Sequence, residues 1–351
     1  MEALPNQMQI ARLAAGGCFS RALALAARLG IADIVNDGHL HFHDIAEHTG
    51  SDPDVMRRLL QVLAIGGVVE RDQDGAFAMT GPFTALRSDH PRSMRNFSIL
   101  MAEIYDDAFG GLSHTVRTGD SGFRQVFGVP LYAYLERDAE TARIFDGAMS
   151  ELTRPVAAAL AERHDFSSAH TVVDVGGGDG TLLAGILAEH PHLTGVCVDR
   201  PSVCERAATA LRTSVDHQVA RRIALRPADI FEDVPEGGDR YLLKNVLHDW
   251  SPETCGRLLT SIGRAMRRTT EGRDPGVAAP RLLVLESLLD QDSDAPHVLF
   301  QMVMCGKDTG GYGEGDLRLI LRRSGFTPVL VERLAGGHHL FECVQDLDRH
   351  S

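Results

Sequence analysis

Residues 172–183 read VVDVGGGDGTLL. An apolar, β-branched run carries Asp174 near its end, passes through glycines at 176–178 and 180, and enters a further apolar stretch. Glycine is needed where a chain turns tightly out of a buried strand and where a ligand must lie against the backbone. A dinucleotide fingerprint, GxGxxG counted from Gly176, needs glycine at 181, where Thr181 stands. No Gly-Lys-Ser/Thr follows, so a P-loop is excluded as well. What remains is an acid just before a glycine turn. Such an acid repels a pyrophosphate and suits a cationic or amine-bearing ligand.

Working toward the C-terminus, strand-like and helix-like runs alternate: HTVVDVGGG, TLLAGILAEHP, LTGVCVDR, SVCERAATALR, RIALRPADIF, DRYLLKNVLHDW, PETCGRLLTSIGRAMRR and RLLVLESLL. A helix near DLRLILRRSG and the strands PVLVERLAG and HLFECVQD end the chain. The alternation predicts a doubly wound, Rossmann-like α/β sheet with an antiparallel edge. Ligands of such sheets bind beyond the C-terminal ends of the strands. LTGVCVD ends there in Asp199, a carboxylate placed for ribose hydroxyls. Asp229 ends the next block beside Ile230 and Phe231, an acid and two apolar faces suited to an adenine ring. The glycine cluster followed by these acids points to S-adenosylmethionine as the cofactor. Next comes LLKNVLHDWSPETC, in which Ser251 caps a helix that Pro252 begins. His248 therefore lies at a strand's C-terminal end, where its imidazole can take a proton from a hydroxyl. At an ordinary value of ~6.5 it is largely neutral at pH 7.

Toward the N-terminus, residues 8–35 have helical spacing, and HFHDIAEHTG precedes SDPDVMRRLLQVLAIGGVVERD, with Ser51 or Asp52 as cap and Pro53 in the first turn. VVERDQDGAFAMT reads as two short strands around Asp74-Gly75. Helix, turn, helix and hairpin describe a mainly helical winged-helix module over residues 1–90. Those residues hold 7 Arg, no Lys and 11 acids, and apart from Arg57 and Arg58 the second helix is largely apolar. A recognition helix needs polar and basic side chains, so the module is read as a dimerisation domain. Residues 91–165 read as a helical linker with substrate-binding helices, broken at Gly110-Gly111, Gly119-Asp120 and Gly128-Val129-Pro130. The catalytic domain is residues 166–351, with a mobile loop at 269–280.

Composition narrows the class. At 351 residues, 44% hydrophobic and 24% charged, the chain is globular and neither disordered nor collagen-like. A net charge of −13 argues against nucleic acid as partner. No uninterrupted apolar run approaches the ~20 residues of a membrane span, and no basic start precedes an apolar block, so a soluble cytoplasmic protein is expected. Cys18, Cys197, Cys204, Cys255, Cys305 and Cys343 form no CxxC pair and read as free thiols. No compact cluster of histidines and carboxylates suggests a metal. Only Lys244 and Lys307 are lysines; the other basic residues are arginines.

With these residues in view, the chain resembles the S-adenosylmethionine-dependent O-methyltransferases that act on small phenolic natural products. The resemblance rests on VVDVGGGDGTLLAGILAEHPHLTGVCVDRPSV, ADIFEDVPEGGDRYLLKNVLHDW and LLVLESLL, and on VRTGDSGFRQVFGVPLYAYL with FDGAMS. It implies a homodimer of antibiotic or other secondary-metabolite biosynthesis. Asp174, Gly176, Gly178, Asp199, Asp229, Ile230, Phe231 and Lys244 are then the cofactor residues. His248 is the base, and Glu286 the carboxylate that orients it. Phe145, Met149, Asp249 and Lys307 are candidates for an aromatic or hydroxylated acceptor. One stretch departs from the family, which usually has Gly-Gly-x-Glu-Arg-Thr where this chain reads MCGKDTGGYGEGDLRLIL. The family's glutamate falls on Gly311 or Gly313, with Glu314 as a candidate substitute. This departure raises cofactor-dependent hydroxylation, decarboxylation or rearrangement as an alternative, and N- or C-methylation is a further one.

Overall fold

The computed structural model describes residues 6–36, 38–271, 278–289, 295–307, 311–334 and 337–346. The middle of the loop read at 269–280 lies outside them; residues 269 and 270 close a helix. The chain divides into two units, one of residues 1–110 and 137–151, the other of 111–136 and 152–351. The helical span 91–165 is thus shared between them.

In the first unit, helices Phe42–Thr49 and Pro53–Ile65 precede a hairpin of β1 (Val69–Arg71) and β2 (Phe77–Met79). Asp52, rather than Ser51, caps the second helix by accepting from the Val55 amide at 3.0 Å. Gly75 turns the hairpin at a φ of +87°. Leu60 and Leu63 point inward, whereas Ile65 on the same helix is 82% exposed. The stretch Gln7–Arg28 is long and apolar enough on average to cross a bilayer, although no single run within it is unbroken. It carries Arg12 and Arg21, and Arg21 pairs with Asp106 and Asp107.

The second unit holds a seven-stranded sheet in the order β5-β4-β3-β6-β7-β9-β8. Its strands are β3 (Thr171–Val175), β4 (Thr194–Asp199), β5 (Ile223–Pro227), β6 (Arg240–Lys244), β7 (Arg281–Ser287), β8 (Phe326–Arg333) and β9 (His338–Gln345). β3 to β7 pair in parallel, and β9 runs antiparallel to both β7 and β8. Both faces of the sheet are covered, which explains the apolar residues on both faces of the central strands. Val173, Tyr241 and Val284 pack on one side with Leu258 and Ile262 of the helix Pro252–Thr270. Val172, Leu242 and Leu283, alternating with them, pack on the other with Leu160, Leu183 and Ile186. The strand order reverses between β4-β3 and β6. That crevice is where a ligand of an open parallel sheet sits.

Candidate functional site

The glycine turn leaves β3 toward the crevice. Gly176, Gly178 and Gly180 have φ of +73°, +59° and +83°, which L side chains rarely adopt. The amides of Gly176 and Gly177 donate to the Val198 carbonyl on β4. Asp199, at the end of that strand, accepts from the Gly178 amide at 3.0 Å and from the Arg200 amide at 2.7 Å. A side chain at Gly178 would meet no atom within 4 Å, so the turn is open on that side. Asp174 lies buried beneath it, its carboxylate 2.9 Å from where a Cβ on Gly177 would sit. One carboxylate oxygen, Oδ2, has no hydrogen-bond partner among the described residues. Burial raises this carboxyl to about 7, against the pull of Lys244. Lys244 in turn is lowered to about 8 by burial, opposed by Glu286 and Asp174.

The opposite wall is the segment after β6. Asn245 has a φ of +54° and is held by the Leu285 carbonyl and by His338 Nε2, 2.9 Å from its Oδ1. This left-handed residue re-aims the chain so that the next two amides face Glu286. Glu286 Oε1 accepts from Val246 and Leu247 at 3.0 and 2.8 Å, and Oε2 lies 2.7 Å from His248 Nδ1. Burial pushes the Glu286 carboxyl up, but the charge of His248 and these donors hold it below the ordinary glutamate value. Burial pulls His248 down, yet Glu286 and Asp249 outweigh it and hold the imidazole at about 9. The expectation of a largely neutral His248 at pH 7 is therefore corrected. Two carboxylates within reach of one buried ring favour its charged form, a tertiary effect that residue type alone does not reveal.

Asp249 is half-buried beside His248, its Oδ1 3.4 Å from Nε2, and its Oδ2 accepts from the hydroxyl of Tyr132. Ile230 approaches the glycine turn, 3.9 Å from the position of a Gly176 Cβ. Phe231 meets Trp250 edge-on at 5.0 Å between ring centroids, while Asp229 accepts from the Phe231 amide at 2.9 Å. Asp174, Asp199, Lys244, His248, Asp249 and Glu286 thus gather at one end of the sheet, with Ile230 and Phe231 at the margin. Tyr132, Asn245, Trp250 and His338 belong to the same surroundings and were not singled out from sequence. His338 is about ninety residues from its partner, and nothing local marks it.

Lys307 is exposed; its stem packs on Gly119, and it lines a groove with Arg257, Tyr312 and Arg323 rather than with His248. Gly311 has a φ of +77°, its amide faces the His248 carbonyl at 3.4 Å, and a Cβ there would come within 2.9 Å of Leu289. A glutamate cannot be accommodated at that position without rearrangement. Glu314 is exposed on the helix Glu314–Arg323 and bonded to Arg318 at 2.7 Å, so it does not stand in for the missing acid. Phe145 and Met149 are half-buried, one turn apart on the helix Ala139–Arg163, in the first unit.

A glycine turn open on one side, a buried acid with an unmet oxygen and a second acid at the next strand end form a donor set that fits a nucleoside bearing a cationic centre. Comparison with known proteins agrees. The family model for an O-methyltransferase domain matches residues 109–327, and that for an O-methyltransferase dimerisation domain matches residues 11–81. The O-demethylpuromycin-O-methyltransferase of Streptomyces alboniger is 35% identical over 340 residues, covering 94% of this chain and 86% of the relative. The mitomycin 7-O-methyltransferase structure superposes with a TM-score of 0.82 at 29% identity, covering 97% of each chain. A methyltransferase of calicheamicin biosynthesis, solved with S-adenosylhomocysteine, gives 0.77 at 28% identity, over 98% of this chain and 99% of that one. The chain belongs to the S-adenosylmethionine-dependent O-methyltransferase family.

Proposed function

We propose that the acceptor is a phenolic hydroxyl of a small secondary metabolite and that His248 is the base. The observation that carries the second point is the 2.7 Å bond between His248 Nδ1 and Glu286, which commits Nδ1 and leaves Nε2 for the acceptor. S-adenosylmethionine, when bound, supplies an electrophilic methyl group on a sulfonium centre. Gly176, Gly178 and Asp199 would hold its nucleoside part, with Asp229, Ile230 and Phe231 at the adenine. Asp174 and Lys244 set the charge beneath it. His248 Nε2 accepts the hydroxyl proton as the oxygen–methyl bond forms, and Glu286 stabilises the resulting imidazolium. Because Glu286 and Asp249 hold the ring above its ordinary value, the reaction gains from alkaline conditions. The proposed acceptor class is drawn from the natural products named for the relatives.

Product mass tests the reaction class. Incubation with a panel of phenolic metabolites should give a gain of one methyl on oxygen and an equivalent of S-adenosylhomocysteine. Transfer to nitrogen or carbon would instead support N- or C-methylation, and turnover without methyl gain the alternative raised by residues 305–315.

The chain is further proposed to be a homodimer built on the first unit. Ile10, Leu13, Val55 and Ile65 are 62–83% exposed, more apolar surface than one such unit usually leaves to water. Light scattering at micromolar concentration should give twice the 38.1 kDa chain mass. A monomer at that concentration would remove the dimer.

A further inference from the structure

Two acids flank the His248 ring, and they engage it differently. Glu286 takes Nδ1 at 2.7 Å, whereas Asp249 Oδ1 stops 3.4 Å from Nε2. A charge-assisted bond between imidazolium and carboxylate closes to ~2.7–2.9 Å when nothing opposes it. What opposes it here is the Tyr132 hydroxyl, which donates to the other Asp249 oxygen. We propose that Tyr132 is a positioning residue: it holds the Asp249 carboxylate off His248 Nε2 and so leaves that nitrogen to the acceptor. The proposal rests on the reading of His248 as the base.

Tyr132 is well placed to exert such a pull. It lies on the short helix Leu131–Leu135, which is anchored on the β4 side. Its ring faces the Arg200 guanidinium, 5.2 Å from the ring centroid. Arg200 also bonds Glu136, just past the helix, and Ser202 donates to the same carboxylate at 2.8 Å. Arg200 comes directly after Asp199 at the end of β4. The helix therefore links the segments that follow β4 and β6, the strands on either side of β3. A ring fixed by a cation on its face has little freedom, and its hydroxyl can restrain Asp249 without adding charge. The charged groups facing His248 are Glu286 from β7, Lys244 from β6 and Asp249 from its own turn. Of these, Asp249 is the one that meets the acceptor-facing nitrogen.

The test is the pH dependence of kcat in Tyr132→Phe, which keeps the ring against Arg200. With its competing donor gone, Asp249 closes on Nε2–H and retains that proton. The acid limb should move upward by about half to one pH unit, the size of one hydrogen bond. Activity near neutrality should fall about three- to tenfold and recover at high pH. Asp249→Asn removes the charge, so its limb should move downward, and adding Tyr132→Phe to it should move the limb no further. A uniform loss at every pH with the limb unmoved would mean a structural role only and would overturn the proposal, as would a downward shift in Tyr132→Phe. His248→Ala separates the two readings. If that variant keeps the wild-type rate, the base assignment fails and takes this proposal with it. If it is inactive while the Tyr132→Phe limb stays in place, this proposal alone fails.

Discussion

Replacing His248 with alanine should slow turnover by about 10²–10⁴-fold, the usual contribution of a positioned base. S-adenosylmethionine affinity should change little, because the proposed nucleoside contacts, Asp199 and the glycine turn, do not include His248. The sign of the pH effect is set by the carboxylates around the ring. A base works when deprotonated, and this one is held at about 9, so the wild-type rate should climb with pH toward that value. For a phenol, whose own pKa is ~10, the variant's deficit should shrink in alkali as phenolate forms unaided. An aliphatic hydroxyl would show no such recovery. A variant that matches the wild-type rate at neutral pH would dismiss His248 as the base.

Glu286→Gln should cost a similar factor, about 10²–10⁴ in kcat, for a reason specific to its bonding. Two backbone amides, Val246 and Leu247, donate to one carboxylate oxygen, and His248 Nδ1 bonds the other. A carboxamide can keep both amide bonds only by turning its NH₂ toward Nδ1. That forces the imidazole proton onto Nε2, the nitrogen that has to accept one. The opposite orientation leaves two buried amide donors facing an NH₂ group, which is worse. The substitution also removes a negative neighbour, so the residual activity should titrate at a lower pH than the wild type. Steady-state rates across pH, with cofactor affinity measured by calorimetry as a control for folding, decide the matter. Wild-type kcat in this variant would show that Glu286 does not orient the ring.

The catalytic unit was legible in the sequence because its signals are local. The glycine turn, the acid at the end of β4 and the Ser251-Pro252 helix start each need only a few adjacent residues. The same holds for the hairpin around Gly75. What sequence did not disclose depends on contacts across the sheet. The upward pull on His248 comes from Glu286 on another strand as well as from its neighbour Asp249, and the restraint on Asp249 comes from Tyr132, 117 positions away. Lys307 attracted notice through rarity, and rarity carries no information about direction: its stem lies on Gly119. Asn245 shows the limit too: asparagine enters the left-handed region more readily than most residues, but the partners that hold it, Leu285 and His338, lie far along the chain.

Asp174 carries a consequence of its own. A buried acid poised at about 7 is shared between its protonated and charged forms near neutrality. A cation that settles against it favours the charged form and so displaces a proton. Near neutral pH a cation held there would displace a fraction of a proton, which offsets part of the charge that the cofactor brings. Departure of the methyl group leaves a neutral thioether, and the carboxylate can take its proton back. On the proposed placement of the cofactor, the acid beneath the glycine turn would soften each change in the charge of its guest.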